Sequence, residues 1–261
     1  MDRRGFLATA MAASGAAMIG NSEAVAQATT PAREFYQLRR YELRNGPQLQ
    51  LAQDYFAHAL IPALNRMGIQ QVGTFKLDIG PDTPSYYVLI PSTSAETLLT
   101  LDLKLPQDAE FAKAAAPFWS APATATAFVR TETSMMQAFN GFPKLTAPAK
   151  GKRIFQLRTY ESPGYAAHTT KVEMFEKGEI AIFQKTGLTP VFFAHNLAGT
   201  RMPSLTYMLT FEDVAQLTAH WANFVSSPEW KEISHRPGYS DAELVNNITN
   251  LYLSPLPSSQ I

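Results

Sequence analysis

Apolar positions along the chain change their period in an order that occurs twice. Residues 35 to 43 alternate, with aromatic and β-branched content, as a strand does. From Leu51 the apolar residues return at helical spacing through Tyr55, Phe56, Leu60, Leu64 and Met67, and Gly68 then stands where a left-handed helix terminator is wanted. Pro62 interrupts that helix, removes one backbone hydrogen bond and predicts a kink. Extended runs follow at 69 to 79 and 85 to 90. Thr93-Ser94-Ala95-Glu96 has capping-box spacing and opens another helix, and a strand at about 127 to 137 closes the series. The later half reads the same way. Strands are predicted at 154 to 161, 188 to 197, 204 to 210 and 246 to 253, with a helix carrying Val172, Phe175, Ile180 and Phe183 that ends at Gly187. Asp213 starts the next helix, and Ser227-Pro228-Glu229 gives cap, proline and acid for a short further one.

The order is written out in residues as well as in periods. Gln37-Leu38-Arg39-Arg40-Tyr41-Glu42 recurs 119 residues later as Gln156-Leu157-Arg158-Thr159-Tyr160-Glu161, and the spacing then holds without a gap. Phe56 meets Phe175, Gly68 meets Gly187, and Pro84-Ser85 meets Pro203-Ser204. A duplicated unit explains this. The chain therefore divides into a first unit at 33 to 140, a connector at 141 to 151 whose Pro, Gly and Lys content reads as exposed, and a second unit at 152 to 254. Strand, helix, strand, strand, helix, strand is the ferredoxin-like layout, an antiparallel sheet with helices on one face. Strands with aromatics on both sides, such as Phe35-Tyr36 and Tyr86-Tyr87, need the other face covered too. The fold class expected is α+β, with two tandem ferredoxin-like units packed sheet to sheet as an internal, pseudo-dimeric barrel.

The first residues have a different character. Arg3-Arg4-Gly5-Phe6-Leu7 precedes a short Ala- and Gly-rich apolar run from Ala8 to Gly20, and Ala24-Val25-Ala26 fits the small-x-small cleavage rule. This is similar to a twin-arginine signal peptide over 1 to 28, which implies export to the periplasm, and the run is too short to span a membrane. The remaining composition narrows function by exclusion. Twenty-two basic and 22 acidic residues cancel, which removes the footprint for nucleic acid. The absence of cysteine closes disulfides, thiolate metal sites and thiol nucleophiles. The five histidines show no metal-ligand spacing, so no metal is expected, and no phosphate-cradling or dinucleotide glycine motif is present.

The repeated Gln-Leu-Arg-x-Tyr-Glu strand opening, the helix that ends before Gly, and the segment His220-Trp221-Ala222-Asn223-Phe224 followed by Ser227-Pro228-Glu229-Trp230-Lys231 resemble the NIPSNAP family of the dimeric α+β barrel superfamily. The resemblance covers about 34 to 138 and, more clearly, 153 to 254. The first copy departs from it between Leu101 and Ala123, where Asp102-Leu103 stands in place of His-Trp, so any site built from that segment exists once per chain. The resemblance implies a barrel fold and a loosely defined role. Superfamily relatives include cofactor-poor monooxygenases, isomerases and haem-dependent peroxidases that use the barrel interior.

Alternation puts Gln37, Arg39 and Tyr41 on one face of the first strand and Gln156, Arg158 and Tyr160 on its counterpart. On facing strands, Arg39, Tyr41, Arg158 and Tyr160 make a pseudo-symmetric cavity in the barrel interior for a small anionic or carbonyl-bearing ligand, without a cofactor, as in a cofactor-independent oxygenase or isomerase. In the opposing reading Arg39 and Arg158 pair with acids such as Glu42 and Glu161 and hold the packing together. His195, after the apolar strand Val191-Phe192-Phe193-Ala194, is a further ligand-binding candidate and the one axial position for haem. The alternative function is a non-catalytic interaction module of the cell envelope, acting as a homo-oligomer or on an exported partner protein.

Overall fold

The computed structural model describes residues 32–261. The expected leader lies outside the described residues. The first half runs β1 (Phe35–Glu42), α1 (Pro47–Tyr55), a π-helical turn (Phe56–Leu60), α2 (Ile61–Arg66), β2 (Gly73–Ile79) and β3 (Ser85–Ser92). It continues through α3 (Ala95–Leu99), α4 (Leu101–Lys104) and α5 (Ala109–Trp119) to β4 (Arg130–Ala138). The second half repeats the order as β5 (Ile154–Glu161), α6 (Tyr165–Met174), a π-helical turn (Phe175–Glu179), α7 (Ile180–Lys185), β6 (Thr189–Ala198) and β7 (Ser204–Phe211). Its remaining elements are α8 (Val214–Ser226), α9 (Pro228–Ser234), α10 (Asp241–Leu244) and β8 (Asn247–Pro255).

Local signals place the ends of these elements. Gly68 and Gly187 terminate the first helices at φ 79° and 92°, a region that penalises any Cβ. Asp213 and Ser227 cap α8 and α9 by accepting from the N–H groups of Gln216 and Trp230. α3 starts one residue later than the capping-box spacing suggests, because the Ser94 hydroxyl accepts from Thr97 N. The Pro- and Ala-rich stretch where the first copy departs from the second is α5, started by Asp108, whose carboxylate accepts from the N–H groups of Glu110 and Phe111.

All eight strands close into one antiparallel barrel in the order β1-β3-β2-β8-β5-β7-β6-β4. Each half supplies four adjacent strands, and the β2–β8 and β4–β6 pairs seal the two seams. Closure leaves no sheet edge open. Helices cover the outer face, giving three layers of apolar packing: one under the helices of each half and one inside the barrel. The inner core draws Tyr36, Phe75, Leu89, Phe155, Phe192 and Leu253 from both halves, so neither half can bury its inner sheet face alone.

The two barrel ends differ. At the end where β1 and β5 begin, Leu145 and Ile261 insert into the inner core. Residues 141–151 are therefore more than the exposed connector expected from composition. Leu145 N donates to Glu34 Oε2 at 2.7 Å and Thr146 N to the Val191 carbonyl at 2.9 Å, which straps the segment across this opening. The C-terminal tail closes the same end, with Gln260 N donating to the Val72 carbonyl. At the opposite end the barrel stays open to a polar mouth.

Candidate functional site

Which face of β1 and β5 points inward decides where the sequence-derived residues fall. Tyr36, Leu38, Phe155 and Leu157 belong to the barrel core, so the alternating set Gln37, Arg39, Tyr41 and its counterpart Gln156, Arg158, Tyr160 points outward beneath the helices. The four residues Arg39, Tyr41, Arg158 and Tyr160 therefore do not line one shared interior cavity, as expected above; they form two separate clusters under two helix layers. Because both faces of these strands are covered, periodicity groups the residues correctly and carries no information about which group faces in.

The one mismatch in the repeated hexapeptide is what faces the barrel lumen: Arg40 in the first copy and Thr159 in the second both line the open mouth, a cavity of about 310 Å³. Arg40 is saturated there. Its guanidinium meets Asp82 at 2.8 Å, Glu132 at 3.1 Å and Glu42 at 3.8 Å. An anion entering the mouth competes with carboxylates already in place. The pairing with Glu42 expected for Arg39 thus belongs to its neighbour, and Glu161 meets Arg201 at 3.5 Å instead of Arg158.

In the first half, Arg39 and Tyr41 sit at the back of a separate cavity of about 290 Å³ bounded by β1, β4, α5 and the segment around Phe128. Aromatic rings make its walls. Tyr55 and Phe118 stack at 4.2 Å, and Tyr41 stands edge-on to Phe118 at 6.0 Å and Phe128 at 6.3 Å. Arg39 Nε donates to Gln37 Oε1 at 2.6 Å, which fixes the guanidinium plane, while Nη1 meets Asp102 Oδ1 at 2.9 Å. The Asp102 side chain is 62% exposed and Trp119 is 42% exposed, so both stand at the entrance. Burial pushes the Tyr41 phenol above its usual range even though Arg39 draws it down, leaving a neutral donor. Burial alone would lower the Arg39 pKa, but Tyr41 and Asp102 outweigh it and the guanidinium stays charged.

In the second half the equivalent space is filled. Trp221 stands 119 residues after Asp102, so the pair that replaces His220-Trp221 is Leu101-Asp102 rather than Asp102-Leu103; the Trp221 indole lies 4.5 Å under the Arg158 guanidinium and donates to Gln156 Oε1 at 2.7 Å. Arg158 also lies 5.3 Å from the Tyr160 ring, and the Tyr160 and Tyr207 hydroxyls bond at 3.0 Å. His195 lies in neither cavity. Its Nδ1 is 3.3 Å from His168 Nε2 and its ring packs on Phe139 at 4.8 Å, so one ring nitrogen is taken up in a histidine pair. Burial, followed by His168 and Arg33, lowers its pKa to about 4. Among the described residues, no three His, Asp or Glu side chains cluster as metal ligands, and no helix is long and apolar enough to cross a membrane.

The second half can be placed among known sequences. Residues 155–260 match the NIPSNAP family model. A NIPSNAP-like domain protein from Burkholderia xenovorans, 18% identical, covers 41% of this chain and 89% of its own, with a TM-score of 0.37. Longer structural likenesses span both halves. A candidate monooxygenase from Lactobacillus acidophilus, 11% identical, covers 85% of this chain and 94% of its own with a TM-score of 0.57. Another, from Fusobacterium nucleatum and 12% identical, covers 87% and 94% with a TM-score of 0.54. These likenesses establish the barrel fold. No curated protein matches the chain in sequence.

The first-half cavity thus lies outside the residues matched by the NIPSNAP model, and Asp102, Phe118 and Trp119 of its lining come from the segment that departs from the family pattern. Sequence reasoning missed Tyr55, Phe118, Trp119 and Phe128 as site walls: Tyr55 read as part of an apolar helical row, and the other three lie in or after the stretch that departs from the repeat. It also missed Lys171 and Glu179, buried in the NIPSNAP-matched half. Lys171, Phe175 and Glu179 repeat at i, i+4 and i+8, which reads as the edge of a solvated face, whereas their first-half counterparts Ala52, Phe56 and Leu60 mark the same row as core.

Proposed function

We propose that the protein binds a small, flat aromatic compound bearing a carboxylate or carbonyl in the first-half cavity. The observation that carries this reading is the convergence of the Arg39 guanidinium and the Tyr41 hydroxyl at the back of an aromatic-walled space that is open at Asp102. Ligand pockets have this composition, mostly apolar with a few placed polar groups. The ring of the ligand lies between Tyr55, Phe118 and Phe128, and its oxygen takes hydrogen bonds from Arg39 and Tyr41. Those two donors stabilise charge that develops on a carbonyl or phenolic oxygen, and Asp102 offers a carboxylate to accept a proton at the entrance. This suits a cofactor-independent oxygenase or isomerase, and it agrees in kind with the monooxygenase naming of the two long structural likenesses. The first half is read as a diverged second copy of the NIPSNAP unit, and the chain as exported to the periplasm by the leader at 1 to 28. Replacing Arg3 and Arg4 by lysine is expected to leave precursor in the cytoplasm; mature periplasmic protein from that variant would refute the export route.

Titration with 1-naphthoate, followed by protein fluorescence, tests the binding site. Arg39→Met is expected to weaken binding by roughly 10- to 100-fold, the loss of a charged hydrogen bond of about 1.5–3 kcal/mol. Asp102→Trp, which installs the residue found at the equivalent second-half position, is expected to fill the cavity and abolish binding. Unchanged affinity in both variants would remove the site. The interaction-module reading rests on no cavity or surface described above.

A further inference from the structure

The open mouth of the barrel is built from two walls of different chemistry. Arg40, Tyr87 and Arg130 face it from the first half, and the residues 119 positions later, Thr159, Thr206 and Thr249, face it from the second. The same scaffold position is thus charged or phenolic in one copy and a hydroxyl in the other. The charges are already matched. Besides Arg40, Arg130 meets Glu42 at 3.9 Å and Arg201 meets Glu161 at 3.5 Å. What lacks partners is uncharged. The Thr159 and Thr206 hydroxyls bond to each other at 2.9 Å, which uses one hydroxyl proton and leaves the other for a third group. Asn196 lines the mouth from β6, whereas its first-half counterpart Leu77 belongs to the apolar core. Its Nδ2 donates to Ser204 Oγ at 2.6 Å; that hydroxyl gives its own proton to the Arg201 carbonyl, so it accepts from the amide and fixes which way the amide points. The amide oxygen is left buried with no partner among the described residues, a state seldom found without a reason. Burial pushes the Tyr87 phenol up to about 12, so this group also stays neutral.

We propose that the barrel mouth is a second binding site, for a neutral polyhydroxyl compound the size of a single sugar ring. An anion would have to displace a carboxylate from Arg40, and a cation would have to draw carboxylates away from the arginines. An apolar ligand would cover the ion pairs, the threonine hydroxyls and Asn196 Oδ1 without replacing their hydrogen bonds to water. A polyol leaves every ion pair intact. Its adjacent hydroxyls both donate and accept, so one gives a proton to Asn196 Oδ1 while its neighbours exchange hydrogen bonds with Thr159, Thr206 and Tyr87. On the charged wall the planar guanidinium and carboxylate groups engage two neighbouring hydroxyls at once. Leu38 and Leu157 line the mouth and pack with the inner core, which gives the C–H face of a ring an apolar floor. The cavity of about 310 Å³ stands at the lower end of the roughly 300–1,000 Å³ of small-ligand pockets, which suits one ring and not a chain of them.

Isothermal titration calorimetry with D-glucose, D-galactose, D-mannose and myo-inositol, each in turn, tests the assignment. Heats are read in place of melting temperatures, because polyols at high concentration stabilise any protein by exclusion from its surface. At least one of the four is expected to give a saturable isotherm. Thr206→Val, which removes one hydroxyl with little change of shape, and Asn196→Leu, which installs the first-half residue, are each expected to weaken that ligand by roughly tenfold, the loss of one hydrogen bond. Arg39→Met is expected to leave its affinity unchanged, since Arg39 lies in the other cavity, and sodium benzoate is expected not to compete. No saturable heat with any of the four, or competition by benzoate, would overturn the proposal. So would unchanged affinity in Thr206→Val, the milder variant, whether or not Asn196→Leu folds.

Discussion

A single step along β1 separates two arginines with different fates. Arg39 points under the helices and keeps one exposed carboxylate at the entrance of a cavity; Arg40 points into the barrel mouth and is locked by three. Alternation had grouped Arg39 with Tyr41 correctly, and the pair does meet at one site, but the inward face is that of Tyr36 and Leu38, which fill the apolar lumen, with Arg40 on the same face reaching the polar mouth. His195 gives a residue-level prediction of its own. Its folded pKa of about 4 lies below the ordinary value of 6.5, so the contribution of the neutral ring to stability is complete above pH 6.5 and is lost as the pH falls toward 4. The difference in melting temperature between the protein and a His195→Asn variant is expected to be largest above pH 6.5 and to close on acidification. A gap that is independent of pH would contradict the neutral, half-buried state.

At the scale of elements, the π-helical turns show what a local reading misses. Pro62 predicts a kink in the first helix, yet both copies carry the wide turn, with Ile61 N donating to the Phe56 carbonyl and Ile180 N to the Phe175 carbonyl. The second copy has Ala181 where the first has Pro62, so proline is not the cause. The turn brings Glu179 under Lys171 in one half and Leu60 into the core of the other. Removing only one member of the buried pair isolates the cost of an uncompensated charge. Glu179→Leu alone is expected to destabilise by about 3 kcal/mol in urea unfolding, whereas Lys171→Ala with Glu179→Leu is expected to be near neutral. Equal losses in the single and double variants would show that the pair itself contributes the stability. α5 carries the same lesson for binding: its Pro- and Ala-rich sequence signalled only a departure from the repeat, and tertiary packing made Phe118 and Trp119 the wall of a cavity.

For the whole molecule, the inner core is the joint property of two halves and two plugs. Truncating the C-terminal plug by Ile261→Ala is expected to cost about 2–4 kcal/mol, because the residue is fully buried against Gly73 and Phe75, and chemical denaturation reads this directly. Separated at the connector, residues 32–140 and 152–261 each expose an apolar inner sheet face of a size that monomers seldom tolerate. Size-exclusion chromatography is expected to show dimers or aggregates of either piece, and a stable monomer would contradict the shared core. The repeat spacing, the period changes and the covered aromatic strands were enough to derive two ferredoxin-like units and a closed barrel, because those features depend on local propensity and on the need to bury both sheet faces. Side-chain alternation likewise determined that Gln37, Arg39 and Tyr41 act together. Only the tertiary structure decided that they act beneath the helices, that Asp102 leaves open the space Trp221 fills, and that Leu145 and Ile261 close one end of the barrel. Those outcomes depend on contacts between segments far apart in the chain, where the volume and charge of a distant side chain settle what a strand face or a connector becomes.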